Sequence, residues 1–318
     1  MAERSADDVD ASIVIVSWNV RELLLACIRS IISMQDDLLV QIVVVDNASR
    51  DQTVEAVRRE FPDVELIASD TNLGFSRGSN LGLDHAKGRY VFFLNPDTVL
   101  GEHALRRLVD FLEANRDFDV VGPRLVSPDG TPQWVGARHP PSPALLSLQA
   151  LYLHRLPLIG RRLLNRMVVQ YDLNVSQEVE AVSGAAMVSR RAALERVKGF
   201  DESFPYTSED IDLCLRLRRH GSRIFYLAEA TITHIGEQSS SQAWARTGTM
   251  SMLSTEMYLA RAHGRFHALV YRMLVQFVQV PIMVVVGFAK ALLGRNASGS
   301  LRERLVFAKS VWRRRVEE

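Results

Sequence analysis

The chain has 318 residues, 47% of them hydrophobic and 24% charged, which excludes an intrinsically disordered chain, a collagen-like repeat and a polytopic membrane protein. Lys and Arg number 38 against 37 Asp and Glu, so a net charge of +1 speaks against a nucleic-acid-binding polycation. Cys27 and Cys214, the two cysteines, sit in apolar helix-like stretches, which excludes a disulfide scaffold and points to a reducing compartment.

Met1 to Asp10 is acidic and polar with no apolar h-region, so no secretory signal is expected there. From there strand and helix signals alternate. Ser12 to Val16 reads as a strand, Val20 to Ile32 as a helix, Gln41 to Val45 as a strand, and Gln52 to Phe61 as a helix stopped by Pro62. Val64 to Ala68 is a third strand, Ser76 to Ala86 a helix, Tyr90 to Leu94 a fourth strand and Gly101 to Asn115 a helix. Continuous apolar strands alternating with helices predict a mainly parallel sheet covered on both faces. The middle is irregular and punctuated by Pro128, Pro132, Pro140, Pro141 and Pro143. Strand signals return at Val179 to Val188, a helix at Arg190 to Val197, another at Asp210 to His220, and strands at Arg223 to Tyr226 and Ala230 to His234.

Ligands of open α/β sheets bind at the carboxyl ends of the strands. The four N-terminal strands release Ser17-Trp18-Asn19, Asp46-Asn47-Ala48-Ser49, Asp70-Thr71-Asn72-Leu73-Gly74-Phe75 and Asn95-Pro96-Asp97. Ser49 and Asp51 read as helix caps. Asp46, directly after VVV, faces the crevice, where its carboxylate can accept from a base or ribose edge; capping is the alternative. No G-x-G-x-x-G follows the first strand and no P-loop pattern occurs, so a bound pyrophosphate needs another charge partner. A carboxylate such as Asp97 can hold Mg²⁺ or Mn²⁺ bridging two phosphates, given a second ligand from elsewhere. Glu209, Asp210 and Asp212 open a helix, where acids also offset the macrodipole, and Glu209 and Asp210 look past its end. His234 ends a strand; a lone His is more often structural, and Asp97 in need of a partner shifts that balance.

In this order SIVIVSWN, VVVDNAS, NLGFSRGSNLGL, FFLNPD, GAAMVSRRAAL, GFDESF, EDIDLCLR and a strand-end His resemble the inverting glycosyltransferases of family 2, and within them the rhamnosyltransferase-like bacterial enzymes of surface polysaccharide. The likeness runs from about Ser12 to His234. It implies a GT-A fold and a nucleotide-diphosphate sugar donor. Ser17, Asn19, Asp46 and Asn47 match the nucleotide-holding positions. Asn72, Gly74, Phe75, Gly78 and Asn80 match the segment that wraps the donor, and Ser183-Gly184-Ala185 matches the strand beneath the sugar. Asn95-Pro96-Asp97 matches the metal-binding acidic triplet with its first acid replaced, and His234 matches the additional metal ligand. Asp210 matches the general base; Glu209 is a secondary candidate that shapes the site or binds acceptor. Arg77 either pairs with phosphate or is solvated.

Eleven basic residues against three acids from Arg261 onward make that tail +8. It flanks Met273 to Ala289, MLVQFVQVPIMVVVGFA, seventeen uncharged residues that read as an interfacial helix or shallow anchor rather than a spanning one; a buried core helix is the alternative. Leu145 to Val168 has a similar mix of Leu, Tyr and Arg. The expectation is a catalytic domain over 1–240, with a nucleotide half at about 11–100 and an acceptor half at about 101–240, followed by a helical, membrane-associating region over 241–318. Its partners would be a nucleotide-sugar, a lipid-linked or glycan acceptor and an anionic membrane surface at the cytoplasmic face of the plasma membrane, with no nucleic acid; a homo-oligomer is left open. The rival expectation is a catalytically silent nucleotide-sugar-binding subunit, for which the lost acid at Asn95 is the sole support. A nucleotidyltransferase would want a Gly-rich basic loop where Ser17-Trp18-Asn19 stands.

Overall fold

The computed structural model describes residues 9–152, 171–236, 244–292 and 301–313. These fall into two compact units, one of residues 9–138, 171–202 and 209–236, the other of 139–152, 203–208, 244–292 and 301–313. Residues 139–152 and 203–208 thus group with the C-terminal helices rather than with the sheet.

The first unit holds strands β1 (Ala11–Ser17), β2 (Val40–Asp46), β3 (Glu65–Ala68), β4 (Tyr90–Leu94), β5 (Thr98–Leu100), β6 (Phe118–Val126), β7 (Ala137–Arg138), β8 (Gln177–Glu178), β9 (Ala181–Val182), β10 (Ala186–Arg190) and β11 (Arg223–His234). Its main sheet has the order β3-β2-β1-β4-β10-β6-β11-β5, with β8 also on β11 and β7 paired separately with β9. β1 to β4 are parallel to one another, as the alternating signals predict. Beyond them the sheet is mixed. β10 runs antiparallel between β4 and β6, and β5 antiparallel to β11, while β6 and β11 are parallel. The single strand signal over Val179 to Val188 resolves into β9 and β10 with a turn between, and the two signals after Arg223 are one bulged strand, β11.

Strict alternation explains the apolar runs at the centre of these strands. Ile13 and Ile15 of β1, Val44 of β2, and Phe92 and Leu94 of β4 enter one core with Leu24, Ile28 and Ile31 of helix α1 (Arg21–Met34). Their neighbours Val14, Val43, Val91 and Phe93 enter a second core on the opposite face, with Leu213, Cys214 and Leu217. With both faces covered, the central positions of these strands are apolar, and polar residues fall toward the ends, Ser12 and Gln41 at the start and Ser17 and Asp46 at the finish. Helix α2 (Thr53–Glu60) follows β2, and helix α3 (Gly74–His85) lies on β1. A Cβ on Gly82 would stand 2.3 Å from Val14 Cγ1, so only glycine allows this approach.

Two pairings assemble the carboxyl edge. In the β10–β4 ladder Ala186 faces Leu94, which brings Ser183–Ala185 beside the chain leaving β4. In the β11–β5 ladder His234 faces Thr98, which brings the histidine beside Asp97.

Helix α4 (Ala104–Ala114) packs on β6 and β11 in the first unit. In the second unit α5 (Pro143–Ala150) opens with Ser142, whose hydroxyl accepts from Leu145 N at 3.2 Å. The remainder of the Leu145 to Val168 segment from 153 on lies outside the described residues. The tail forms α8 (Trp244–His263), α9 (Arg265–Leu274), a π-helical turn over Val275–Gln279, α10 (Val280–Leu292) and α11 (Leu301–Arg313), after α6 (Arg191–Val197) and α7 (Glu209–Arg219) of the first unit. The wide turn sits just ahead of Pro281, whose ring and missing N–H do not fit a regular helical ladder. The apolar stretch is therefore longer than Met273 to Ala289: Arg265–Ala289 runs 25 residues, long and apolar enough to cross a membrane. The helix is two-faced. Val275, Val280 and Met283 pack on Met252, Phe307 and Val311, whereas Phe266, Leu269, Met273, Phe277, Ile282, Val285 and Phe288 form an exposed stripe.

Candidate active site

Ser17 and Asp46 pair across the ends of β1 and β2, and both are buried. One Asp46 oxygen, Oδ2, accepts from Ser49 N at 2.9 Å, closing the turn. The other, Oδ1, is buried without a partner, as are Ser17 Oγ and Asn47 Oδ1. Three unspent polar atoms at adjacent strand ends are unusual in a folded interior and are what a polar ligand would satisfy. Asp46 thus both caps a turn and keeps an oxygen in reserve. Asn19, with a left-handed backbone, binds the neighbouring loop: its N–H donates to Ser49 Oγ at 2.9 Å, and its Oδ1 accepts from Arg50 N at 2.7 Å. Ser49 is therefore a staple between loops rather than the expected cap. Asp51 serves two helices: its Oδ2 accepts from Arg21 N at 2.9 Å, at the start of α1, and its Oδ1 accepts from the hydroxyl of Thr53, the first residue of α2.

In the next segment Asn72 Oδ1 accepts from Gly74 N at 2.9 Å, and Asn47 Nδ2 donates to Gly74 O at 3.2 Å, tying this loop to the end of β2. Phe75 lies edge-on to Phe200 with centroids 5.4 Å apart. Two residues of this segment are engaged in packing. A Cβ on Gly78 would meet Val16 Cγ1 at 2.9 Å, so this glycine serves the contact of α3 with β1. Asn80 is committed to the Phe200 backbone, donating to its carbonyl at 2.9 Å and accepting its N–H at 2.8 Å, and it also donates to Glu202. These contacts give both residues a structural task. Arg77 lies 3.4 Å from Glu202 on the exposed surface.

Beyond β4, Asp97 Oδ1 lies 3.5 Å from His234 Nε2, and Asn95 Nδ2 lies 3.5 Å from the same nitrogen. Asp97 Oδ2 accepts from Gly236 N at 3.0 Å, which fixes the carboxylate. One carboxylate and one imidazole suit a Mg²⁺ or Mn²⁺ ion that draws its other ligands from a diphosphate and water. An all-protein cage is a poor fit: among the described residues no group of three His, Cys, Asp or Glu converges.

The acids of α7 have distinct surroundings. Asp210 Oδ2 receives an ion pair from Arg138 Nη2 and the N–H of Gly184 at 2.9 Å; Oδ1 accepts from Ile211 N at 2.8 Å. Glu209 Oε2 is buried with no partner. Burial first, and then the Asp210 charge, push the Glu209 carboxyl up to about 8, so it holds its proton at neutral pH while Asp210 is the carboxylate that answers Arg138. Asp212 pairs with Arg216 within the same helix at 2.7 Å. Both cysteines are free and buried, their thiols pushed up to about 12 by burial, and neither can serve as a nucleophile.

The two halves meet at Gly184-Ala185. Gly184 N–H donates to Asp210, and the carbonyl of the next residue, Ala185 O, accepts from Asn95 N at 2.9 Å. Asp210 and the Asn95–Asp97–His234 group therefore share one edge of the sheet. Two polar residues here carried no sequence signal, Arg138 on Asp210 and Gln133 on His234. Each stands in the proline-punctuated stretch, where no periodicity marks it.

Residues 12–197 match the profile of Glycosyl transferase family 2, and residues 160–293 that of Glycosyl transferase family group 2. The chain is 28% identical, over 73% of its length and 78% of the relative's, to the N-acetylglucosaminyl-diphospho-decaprenol L-rhamnosyltransferase of Mycobacterium tuberculosis. It is 23% identical to the rhamnosyltransferase WbbL of Escherichia coli, over 71% of this chain and 84% of that one. Among solved structures, the Pyrobaculum calidifontis mannosyltransferase in complex with GDP-Man and Mn²⁺ superposes with a TM-score of 0.56 at 17% identity, covering 96% of this chain and 80% of that chain. Staphylococcus aureus TarS in complex with UDP gives 0.53 at 15% identity, covering 89% and 73%. The fold they share is the GT-A fold, and with the family profile spanning more than half of the sequence, the chain belongs to glycosyl transferase family 2 and is a glycosyltransferase.

Proposed function

We propose that this glycosyltransferase moves L-rhamnose from deoxythymidine-diphospho-rhamnose to a lipid-linked glycan acceptor of cell-envelope polysaccharide, with inversion at the anomeric carbon. The sugar and the lipid-linked acceptor class are those in the name of the mycobacterial relative, which shares 28% identity over most of both chains; the deoxythymidine-diphosphate carrier is part of the proposal. Support for the chemistry comes from one observation above all: the Gly184-Ala185 step keeps a buried carboxylate and the Asp97–His234 pair on the same edge.

Asp210 is the base. Its Oδ2 is saturated by Arg138 and Gly184 N–H, and Oδ1 spends one lone pair on Ile211 N. One lone pair on Oδ1 remains to take the proton from an acceptor hydroxyl. As that oxygen bonds to the anomeric carbon, the bond to the diphosphate oxygen breaks on the opposite face and the nucleoside diphosphate leaves. A positioned base is worth about 10²–10⁴-fold. Asp46, Ser17 and Asn47 offer their unspent atoms to the nucleoside, and Asn19, Asn72, Gly74 and Phe75 shape the walls around the donor. Asp97 and His234 would hold Mg²⁺ or Mn²⁺, which supplies charge neutralisation to the departing diphosphate. The exposed stripe from Phe266 to Phe288, on a tail with a net charge of +8, suits the helical unit to an anionic membrane surface such as the cytoplasmic leaflet.

The test is purified protein with deoxythymidine-diphospho-rhamnose, a polyprenyl-diphosphate-linked acceptor and Mn²⁺ or Mg²⁺. Rhamnosylated lipid with inverted configuration is expected, and Asp97→Ala should remove the metal response along with the activity. Donor binding without turnover would favour a silent binding subunit, the reading to which Asn95 in place of an acid lends support.

A further inference from the structure

Gln133 stands just before a single 3₁₀ turn, Trp134–Gly136, on the segment that returns along β6. Its backbone N–H donates to Leu125 O at 2.8 Å, which fixes its place against that strand. Its side chain reaches the end of β11, 101 positions later. Nε2 donates to the backbone carbonyl of His234 at 2.7 Å and to Ser127 Oγ at 3.1 Å, while Oε1 lies 2.8 Å from His234 Nδ1.

The chemistry of these partners decides the orientation of both groups. A backbone carbonyl only accepts, so the amide nitrogen must face it; turned over, the amide would set two oxygens against each other. That leaves Oε1 facing the ring. An amide oxygen also only accepts, so Nδ1 carries the ring proton. The lone pair of the neutral imidazole then sits on Nε2, the nitrogen that lies 3.5 Å from both Asp97 Oδ1 and Asn95 Nδ2. The hydrogen bond at one ring nitrogen thus determines what the other can do.

We propose that Gln133 is a positioning residue that holds His234 in the Nδ1–H tautomer, so that Nε2 is presented as an electron-pair donor to a divalent cation at Asp97. The inference rests on the assignment of Asp97 and His234 as cation ligands. It adds a residue outside both matched metal positions, and it gives that residue a role in cation affinity rather than in the chemical step. Partners of this kind typically contribute 10–100-fold to metal affinity.

The full chain is titrated with Mn²⁺ in the presence of deoxythymidine diphosphate, as wild type, His234→Ala, Gln133→Leu and Gln133→Glu. The protonated ring nitrogen of His234 is read at pH 8 from ¹⁵N ring shifts, its signals identified by their loss in His234→Ala. Gln133→Leu should weaken Mn²⁺ binding about 10–100-fold and release the ring from the Nδ1–H form. Gln133→Glu still offers an oxygen to Nδ1–H but sets its other oxygen against the His234 carbonyl, so it should keep the Nδ1–H form and recover the affinity only in part. If His234→Ala binds Mn²⁺ as tightly as wild type, the ligand assignment falls and the role of Gln133 with it. If His234→Ala weakens binding but Gln133→Leu does not, the positioning role alone is overturned. Finding Nε2–H in the wild-type protein overturns it as well, whether or not the leucine variant folds.

Discussion

Arg138 and Asp210, 72 positions apart, form an ion pair whose side chains are only 17% and 11% exposed. The pair ties a two-residue strand to the first turn of α7 and holds one oxygen of the proposed base. Asp210→Asn should therefore do two things. Transfer should drop by about 10²–10⁴-fold, and the fold should lose about 3–5 kcal/mol because Arg138 is left buried without its counter-charge. Adding Arg138→Gln should restore most of the unfolding midpoint but none of the transfer. Thermal unfolding beside a rhamnosyl-transfer assay separates the two effects, and full activity in Asp210→Asn would remove the proposed base.

Glu209 gives a pH dependence of definite sign. Its carboxyl is pushed up to about 8 by burial and by Asp210, from an ordinary value of 4.5. Between those values the folded chain holds a proton that the unfolded chain has released, so the group's contribution is full at low pH and is lost as pH rises through about 8. Glu209→Gln removes this dependence. The stability of the variant relative to wild type should grow from pH 5 to pH 8 and then level off, as read by urea unfolding across that range. A pH-independent difference would mean that Glu209 is ionised throughout.

The contact of α3 with β1 has no room for a methyl group. With a Cβ on Gly82 only 2.3 Å from Val14 Cγ1, Gly82→Ala should cost about 1–3 kcal/mol from overpacking. Val14→Ala in the same chain should return part of that loss. Unfolding midpoints of the two single variants and the double variant would show coupling; simple additivity would mean the helix shifts freely.

The exposed stripe of the long helix should govern membrane binding. Phe266, Val285 and Phe288 are 71%, 66% and 50% exposed, so replacing all three by Ser leaves the core side intact. Sedimentation with vesicles rich in anionic lipid should fall sharply for the triple variant, and raised salt should weaken wild-type binding. Equal binding to neutral and anionic vesicles would remove the role given to the basic tail.

Much of this site was legible because the N-terminal strands are covered on both faces. The runs IVVV and YVFFL are apolar throughout, so Asp46 and Asn95 stand out directly after them. β6 was not legible. In FDVVGPRLV a glycine and a proline interrupt the run, and Pro123 pairs with Leu227 just where β11 bulges. The reversal of β10 was hidden too, because periodicity carries no strand direction. Gln133 and Arg138 could not be read at all: each works on a partner far along the chain, from a stretch whose prolines suppress any pattern. Asn80 shows the converse, since it sits in a recognisable segment and yet its amide is occupied by Phe200.

The Gly184-Ala185 dipeptide acts as a clasp. One end holds Asp210 through an N–H and the other holds the Asn95 backbone through a carbonyl. Both bonds come from the main chain, so replacing a side chain at either position deletes neither donor nor acceptor. Changes in the residues around this edge should therefore leave its two halves fastened together.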